Sequence, residues 1–356
     1  MDERTEKLAK LLIDYSLNVK ANENVIISGS IEARDFIEAL YKQVILKGGH
    51  PILRINLPGL NYFFYKNAKP NQINKFPDHF DYMVKHAQKY IGIVTEANTK
   101  ELTNCDPKKI VARGKVTDPI SDYIVNEKDK ILRCTVGFPC QALAQEAEMS
   151  LEEYEDFVFN ACLQDWNLIG KNIDKILNTF KKGKEVHLIG ENVDLKFKIH
   201  GDKAAADKGE ENMPGGETFM APVRESAEGW IKFEYPAIRD GKEVTGIYLK
   251  FKNGKVIEAK AEKNEEFLKE MLATDKNSSY IGEFGIGMNP KITRFTGELL
   301  YDEKIGGTIH LALGMAYKEN GGGNDSAIHW DIVKSMKKAK IILDNKVIQE
   351  NGIWKI

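Results

Sequence analysis

Two histidines near the C-terminal end of the sequence stand in stretches that are otherwise apolar. His310 lies within TIHLALG, and His329 lies within SAIHWDIV, two residues before Asp331. Both runs are rich in β-branched and apolar residues, which predicts buried strands. Residues i and i+2 of a strand point to the same face, so the imidazole of His329 and the carboxylate of Asp331 should converge. Burying such groups without a partner is costly, and a metal ion would be a suitable partner.

Two glutamates and one tyrosine occur in comparable settings. Glu217 directly follows a Pro-Gly-Gly turn in NMPGGETFMAP, where the backbone can approach a ligand closely. Glu283 lies in the apolar, glycine-rich run IGEFGIG, where a carboxylate is either paired or bound to a metal. Tyr317 ends the segment TIHLALGMAY.

Together these residues form a candidate donor set of carboxylates, imidazoles and one phenol, without any thiolate. Such a set suits Zn²⁺, Co²⁺ or Mn²⁺. It exceeds what one tetrahedral ion needs and matches two divalent ions that share a bridging carboxylate, about 3.5–4 Å apart. The spacing is not HExxH, so the hypothesis of a di-metal hydrolase rests on the combination. The set is Glu217, Glu283, His310, Tyr317, His329 and Asp331.

Each carboxylate also has a purely structural interpretation. Glu217 could be a turn residue or a carboxylate near a helix N-terminus. Glu283 could form a buried salt bridge with Arg294 or Lys304. Because no single spacing decides between these roles, both stay open at the level of the residues.

The histidines and the tyrosine have structural interpretations too. His310 could be a core histidine bonded to the backbone, and Tyr317 could be a packed aromatic. His329 and Asp331 could make a single ion pair. The run Gly321–Gly323 is typical of a flexible loop, and it could also move as a lid. The other histidines stand alone and are interpreted as structural or surface residues: His50, His79, His86, His187 and His200.

The composition is that of an ordinary globular protein, and the chain has no net positive charge that would attract an anionic partner. The 356 residues are 42% hydrophobic and 29% charged, with a formal net charge of -2. We therefore expect neither nucleic acid nor a membrane as a partner. The charged start MDERTEKLAK and the lack of a spanning apolar run predict a cytoplasmic protein. The four cysteines lack metal-binding spacing and are interpreted as reduced: Cys105, Cys134, Cys140 and Cys162.

The first half alternates helical and strand patterns, which predicts an α/β domain with a mainly parallel sheet. No GxGxxG or GxxxxGK[ST] motif follows a strand, so a dinucleotide or phosphate site is not supported there. Strands are predicted at 24–30, 50–57, 91–98 and 131–139, and helices at 5–17, 31–46 and 76–90.

A capping box at Ser150 and Glu153 predicts one long helix that links the two halves and ends at about residue 180. Beyond this helix, apolar residues recur at every second position, which predicts strands, and Asn253-Gly254 is typical of a hairpin turn. We therefore predict two domains, an N-terminal α/β domain at 1–180 and a β-rich α+β catalytic domain at 181–356.

In several segments the sequence resembles the aminopeptidase T and aminopeptidase S family of metallo-aminopeptidases, the leucyl aminopeptidase type. The similar segments, in order, are QALAQEAEMSLEEYEDF, NMPGGETFMAP, IGEFGIGMNP, DEKIGGTIHLALGMAY and GGGNDSAIHWDIV. The resemblance implies a di-metal exopeptidase that removes N-terminal residues from peptides with a free N-terminus. It also implies a homodimer.

By position, the resemblance implies metal-ligand roles for Glu217, Glu283, His310, Tyr317, His329 and Asp331, with Glu283 as the bridge. Catalytic roles are expected for Glu283, for Tyr317 as a weak ligand or oxyanion donor, and for Glu303 in proton transfer. The alternatives are a di-metal amidohydrolase or esterase acting on a small non-peptide substrate, and an α/β binding module without catalysis.

Overall fold

The computed structural model describes residues 2–239 and 241–356. The chain divides into two compact units. Unit 1 runs to Gln164 and includes Gly209–Pro214, whereas unit 2 comprises Asp165–Lys208 and Gly215–Ile356. The division therefore falls within the segment that the sequence predicts as one linking helix.

Unit 1 is built on a five-stranded sheet in which every paired neighbour is parallel. The strand order is β2-β1-β3-β4-β8, which confirms the predicted α/β class with a parallel sheet. Apolar side chains such as Ile26 and Ile120 bury one face of this sheet against helices. The strands are β1 (Asn24–Ser30), β2 (His50–Asn56), β3 (Lys89–Val94), β4 (Leu132–Gly137) and β8 (Asn212–Met213).

The helices of unit 1 begin at caps that can be recognised in the sequence. Asp2 accepts a hydrogen bond from the Arg4 amide at the start of α1, and Ser150 and Glu153 form the predicted capping box of α8. The helices are α1 (Glu3–Leu11), α2 (Arg34–Leu46), α3 (Leu60–Asn67), α4 (Pro70–Ile73), α5 (Asp78–Lys85), α6 (Pro107–Asn126), α7 (Gln141–Glu146) and α8 (Leu151–Cys162). In the described part of the chain, no helix is both long enough and apolar enough to cross a bilayer.

The predicted single linking helix is two helices, so that prediction was wrong. After α8 the chain leaves helical geometry, and α9 (Trp166–Phe180) begins at a new cap. Asp165 supplies the cap, because its side chain accepts a hydrogen bond of 3.1 Å from the Leu168 amide. The apolar period continues across the break, which is why the sequence pattern alone predicts one helix.

Unit 2 contains an eight-stranded antiparallel sheet with the order β14-β13-β10-β6-β5-β18-β19-β20. The predicted hairpin is present between β13 and β14, with φ of 49° at Asn253 and 78° at Gly254. The strands are β5 (Glu185–Gly190), β6 (Val193–Lys198), β10 (Glu228–Lys232), β13 (Tyr248–Lys252), β14 (Lys255–Lys260), β18 (Ala339–Leu343), β19 (Lys346–Glu350) and β20 (Ile353–Trp354), beside a ribbon of β11 (Ala237–Arg239) and β12 (Lys242–Val244).

A second, five-stranded antiparallel sheet of unit 2 has the order β17-β16-β15-β9-β7. The strands predicted from TIHLALG and from SAIHWDIV are present as β16 and β17. The strands are β7 (Ala205–Asp207), β9 (Glu217–Met220), β15 (Ile281–Gly287), β16 (Thr308–Gly314) and β17 (His329–Ser335). Two further helices of unit 2 are α10 (Glu265–Leu272) and α11 (Leu299–Asp302).

The two faces of the five-stranded sheet have opposite characters. On one face, Phe284, Ile309 and Ile332 are fully buried in a core that also contains Leu188 and Leu195 of the eight-stranded sheet. Because side chains alternate along a strand, the neighbours of these residues point to the other face. That other face carries the predicted site residues.

Candidate metal centre

The strand register places the ionisable residues on one face of the five-stranded sheet. Glu283 pairs with Ala312, which in turn pairs with Asp331, and Gly285 pairs with His310. Paired residues in antiparallel strands share a face. Side chains from three neighbouring strands therefore converge on the same patch, as the sequence predicts for His329 and Asp331.

Gly285 leaves room for the imidazole ring of His310. A Cβ added to Gly285 would overlap the ring of His310. The strand β15 thus alternates large apolar residues on the core face with Glu283, Gly285 and Gly287 on the site face. The same alternation can be read directly from the sequence IGEFGIG.

The ring of His310 is oriented by the backbone. Its Nδ1 lies 3.1 Å from the carbonyl oxygen of Glu303, and because a carbonyl only accepts, Nδ1 carries the proton of that bond. The other nitrogen, Nε2, lies 3.4 Å from Glu283 Oε1 and 3.7 Å from Glu217 Oε2. The ring therefore directs one nitrogen to two carboxylates.

His329 is held in the same way. Its Nδ1 lies 2.8 Å from the carbonyl oxygen of Met315, and its Nε2 lies 3.5 Å from Asp331 Oδ2. The ring of Tyr317 lies beside it, with ring centroids 5.3 Å apart. A hydrogen bond from Nδ1 to an acceptor is the usual way in which a metal-binding histidine is oriented through Nε2.

Glu217 begins β9 directly after the predicted glycine turn. Gly216 has a φ of 115°, and a Cβ at this position would collide with Asn289. Two backbone bonds fix the turn, from the Gly216 amide to the Asp207 carbonyl at 2.9 Å and from the Met288 amide to the Gly216 carbonyl at 2.8 Å. The turn therefore needs glycine, and it delivers a buried carboxylate to the site.

The donor geometry fits a divalent metal ion. Glu283, His310 and Asp331 each offer one ligand atom, and these atoms lie within 4.8 Å of one another. All three residues are buried, and Asp331 Oδ1 has no hydrogen-bond partner among the described residues. A buried carboxylate oxygen without a partner is costly, and a bound cation would remove that cost. Carboxylate oxygens and imidazole nitrogens are suitable donors for such an ion.

The sequence-based description overlooked how Lys304 takes part. Its side chain is 0% exposed, and its Nζ lies 3.3 Å from Glu217 Oε1 and also contacts the Glu303 carboxylate. The salt bridge proposed as an alternative for Glu283 is therefore made by Glu217 instead. Lys304 belongs to the charged run Asp302-Glu303-Lys304, which is typical of an exposed segment, so the sequence gives no signal that it is buried.

Glu303 contributes twice to this region. Its carbonyl oxygen orients His310, while its carboxylate contacts Lys304 and stays partly accessible, with 17% of the side chain exposed. Its partial exposure sets it apart from Glu217, which is buried beside the same lysine.

The pKa values of the site residues are shifted by burial and by the neighbouring charges. Burial alone would lower the pKa of His310, but the Glu283 hydrogen bond and the charges of Asp331 and Glu217 outweigh it and raise that pKa to about 10. Burial raises the pKa of Glu217 to about 8, although Lys304 opposes the shift. Burial would likewise lower the pKa of His329, whereas Asp331 raises it, and the net shift is upward.

The loop between Tyr317 and His329 is fixed at Asn324. The buried Asn324 side chain donates to the Gly314 carbonyl at 2.6 Å and accepts from Arg224 Nε at 2.9 Å. The glycine run Gly321–Gly323 precedes this anchor, so any lid motion of the loop would be confined to the residues before Asn324.

We predict that Lys304→Met destabilises the metal-free protein by about 3–5 kcal/mol at pH 9, above the Glu217 pKa of about 8, because the ionised Glu217 then lacks its buried cation. A divalent ion would restore positive charge next to Glu217. Metal should therefore raise the thermal unfolding temperature more in this variant than in the parent. The matched control is Lys334→Met, which removes another buried lysine, paired with Glu234 at 2.7 Å. An equal response to metal in both variants would contradict this account of Lys304.

We predict that metal loading at pH 7 releases at least one proton, because His310, with a pKa of about 10, is protonated in the metal-free protein. For each displaced proton, the apparent metal affinity should fall about tenfold per pH unit as pH decreases below 10. Calorimetry in two buffers of different ionisation enthalpy measures the release. Metal binding without proton release at pH 7 would show that His310 is not a ligand.

Comparison with known proteins connects this geometry to a family. The family model described as thermophilic metalloprotease (M29) matches residues 1–354. Aminopeptidase AmpS of Bacillus subtilis is 25% identical, covering 99% of this chain and 96% of its own length. Aminopeptidase T of Thermus thermophilus is 26% identical, covering 92% of this chain and 91% of its own length.

Solved structures share the fold. Wild-type AmpT from Thermus thermophilus superposes with a TM-score of 0.85 at 22% identity, covering 99% of each chain. A 2,5-dihydroxypyridine dioxygenase from Pseudomonas putida KT2440 has a TM-score of 0.61 at 12% identity, covering 98% of this chain and 96% of its own, a likeness of fold alone. The family match, which spans nearly the whole sequence, confirms the predicted resemblance and the prediction of a metallopeptidase: the chain belongs to the thermophilic metalloprotease (M29) family.

Proposed function

We propose that this chain is an aminopeptidase that uses two divalent metal ions to remove N-terminal residues from peptides. The observation that carries the proposal is the convergence of Glu283, His310 and Asp331 within 4.8 Å on one buried sheet face. The names of the relatives, aminopeptidases AmpS and T, favour this activity.

The proposed ligands are the six residues predicted from the sequence. Glu283 Oε1 lies close to His310 Nε2, and Glu283 belongs to the same ligand group as Asp331, so we assign it the bridging position. Glu217 stands next to His310, and His329 stands next to Asp331, so these two pairs would hold two ions with Glu283 shared between them. The ligand set is Glu217, Glu283, His310, Tyr317, His329 and Asp331. Bound ions would polarise the scissile carbonyl and lower the pKa of a water molecule.

The chain's own groups have distinct tasks in this proposal. The carbonyl oxygens of Glu303 and Met315 fix the rings of His310 and His329, so that each presents Nε2 without searching rotamers. Lys304 holds one oxygen of Glu217 and leaves the other facing His310. Burial of these groups excludes bulk water, which strengthens their electrostatic interactions.

Glu303 is the proposed proton carrier. Its carboxylate contacts Lys304 and remains partly accessible, so it could take a proton from water and return it to the leaving amine. Tyr317 lies next to His329 and is proposed as a weak ligand or as a donor to the tetrahedral oxyanion. Zinc, cobalt or manganese as the metal, a homodimer and a cytoplasmic location remain predictions from the sequence.

We predict that hydrolysis of leucine p-nitroanilide stops after thorough chelation and returns with Co²⁺, Zn²⁺ or Mn²⁺. Glu283→Ala should lower kcat by more than about 100-fold, since even losing a group that supports a metal ligand costs 10- to 100-fold. Glu270→Ala removes an exposed glutamate of the same unit and should leave kcat unchanged. Undiminished turnover after chelation would reject a metal-dependent reaction.

We predict that acetylation of the substrate amine abolishes cleavage, because an aminopeptidase must recognise a free N-terminus. The comparison uses leucine p-nitroanilide and N-acetyl-leucine p-nitroanilide with the same metal-loaded protein, and kcat/KM is measured for both. Efficient hydrolysis of the blocked compound would instead favour the alternative of an amidohydrolase or esterase.

A further inference from the structure

A cavity of about 440 Å³ lies in unit 1, at the carboxyl ends of its first three strands. The lining residues include Ser30 at the end of β1, Asn56 at the end of β2 and Val94 at the end of β3. In the sheet, β1 lies between β2 and β3. The chain therefore passes from β1 to β2 on one side and then crosses to β3 on the other side of β1. Open parallel sheets bind ligands in the crevice at such a reversal of strand order.

The charged side chains that line this cavity are acidic. Glu96 and Glu101 are among the lining residues, which within the described part of the chain include no lysine or arginine. Desolvation and the charge of Glu101 raise the pKa of Glu96, whereas the charge of Lys100 lowers it. Lys100 forms a salt bridge with Glu146, its Nζ lying 3.1 Å from Glu146 Oε1. A cation between the two glutamates would relieve their repulsion.

The rest of the lining is aliphatic or polar without charge. Leu57, Ile93 and Leu102 supply apolar surface, and Asn98 supplies an amide. Thr95 is 5% exposed, and its Oγ1 has no hydrogen-bond partner among the described residues. A wall of this kind suits a ligand with an aliphatic body and a hydrogen-bonding head.

Hydrogen bonds hold the loops around the cavity in place. The Glu101 carboxylate accepts from the Gly59 amide and so joins the loops that follow β2 and β3. The Cys140 thiol donates to the Glu96 carbonyl at 3.1 Å, and the Thr99 hydroxyl donates to Glu146 at 2.6 Å. Because these bonds join protein groups to one another, they would limit the ordering needed on binding.

We propose that this cavity binds a small aliphatic molecule carrying a primary ammonium group, which Glu96 and Glu101 hold by charge-assisted hydrogen bonds. A dinucleotide or another phosphate ligand is disfavoured, because its phosphates would face two carboxylates and the sequence has no glycine-rich phosphate motif. The site lies in unit 1, whereas the candidate metal centre lies in unit 2, so the proposal does not depend on the proposed peptidase activity.

The test is calorimetric titration of the full-length protein with cadaverine. Binding of cadaverine is expected, while 1,5-pentanediol and glutarate, which have similar length but no ammonium group, should not bind. Glu96→Gln and Glu101→Gln should each weaken binding about tenfold or more, the typical loss for a charged hydrogen bond. Glutamine at 101 can still accept from the Gly59 amide, so the loop contact is retained. Glu6→Gln removes an exposed glutamate of the same unit and should not change binding.

Three results would overturn the proposal. The first is equal binding of cadaverine and 1,5-pentanediol, and the second is no cadaverine binding at all. The third is cadaverine binding that survives both glutamine variants; its disappearance in Glu283→Ala would then place the amine at the metal centre. Thermal unfolding of each variant checks that a loss of binding is not a loss of folding.

Discussion

The candidate site depends on burying several ionisable side chains on one face of a sheet whose other face forms a hydrophobic core. Glu217, Glu283, His310 and Asp331 are all buried, and isolated charges in such a place would be strongly destabilising. The structure offsets this cost in part by pairing Glu217 with Lys304. The remaining negative charge, including a carboxylate oxygen of Asp331 without a partner among the described residues, is what gives the site its preference for cations.

Precision at the site comes from the backbone more than from other side chains. Two carbonyl oxygens orient the two imidazoles, and a turn through Gly216 positions Glu217. Backbone groups in paired strands move little, so the side chains of the proposed ligands have fixed positions. Gly285 serves the same end by leaving room for the ring of His310. The site thus depends on strand register, because a shift by one residue would turn the proposed ligands on the strands towards the core.

Much of the fold and part of the candidate site could be predicted from the sequence, because the spacing of apolar residues and the positions of polar ones are local signals. The parallel sheet of unit 1, the hairpin at Asn253-Gly254 and the convergence of His329 with Asp331 all follow from patterns a few residues long. The break between the two helices at Asp165 could not be predicted, since the apolar period of the sequence runs through it. The pairing of Lys304 with Glu217 joins residues far apart in the chain, and only the folded structure selects it over the alternative pairing with Glu283.

The central claim is that Glu283 lies between two metal ions on this sheet face. Anomalous diffraction from crystals of the zinc- or cobalt-loaded protein, collected at the absorption edge of the metal, tests it most directly. We expect two anomalous peaks about 3.5–4 Å apart, both in contact with Glu283, one beside His310 and the other beside His329. A single peak, or peaks away from Glu283, would contradict the bridging role.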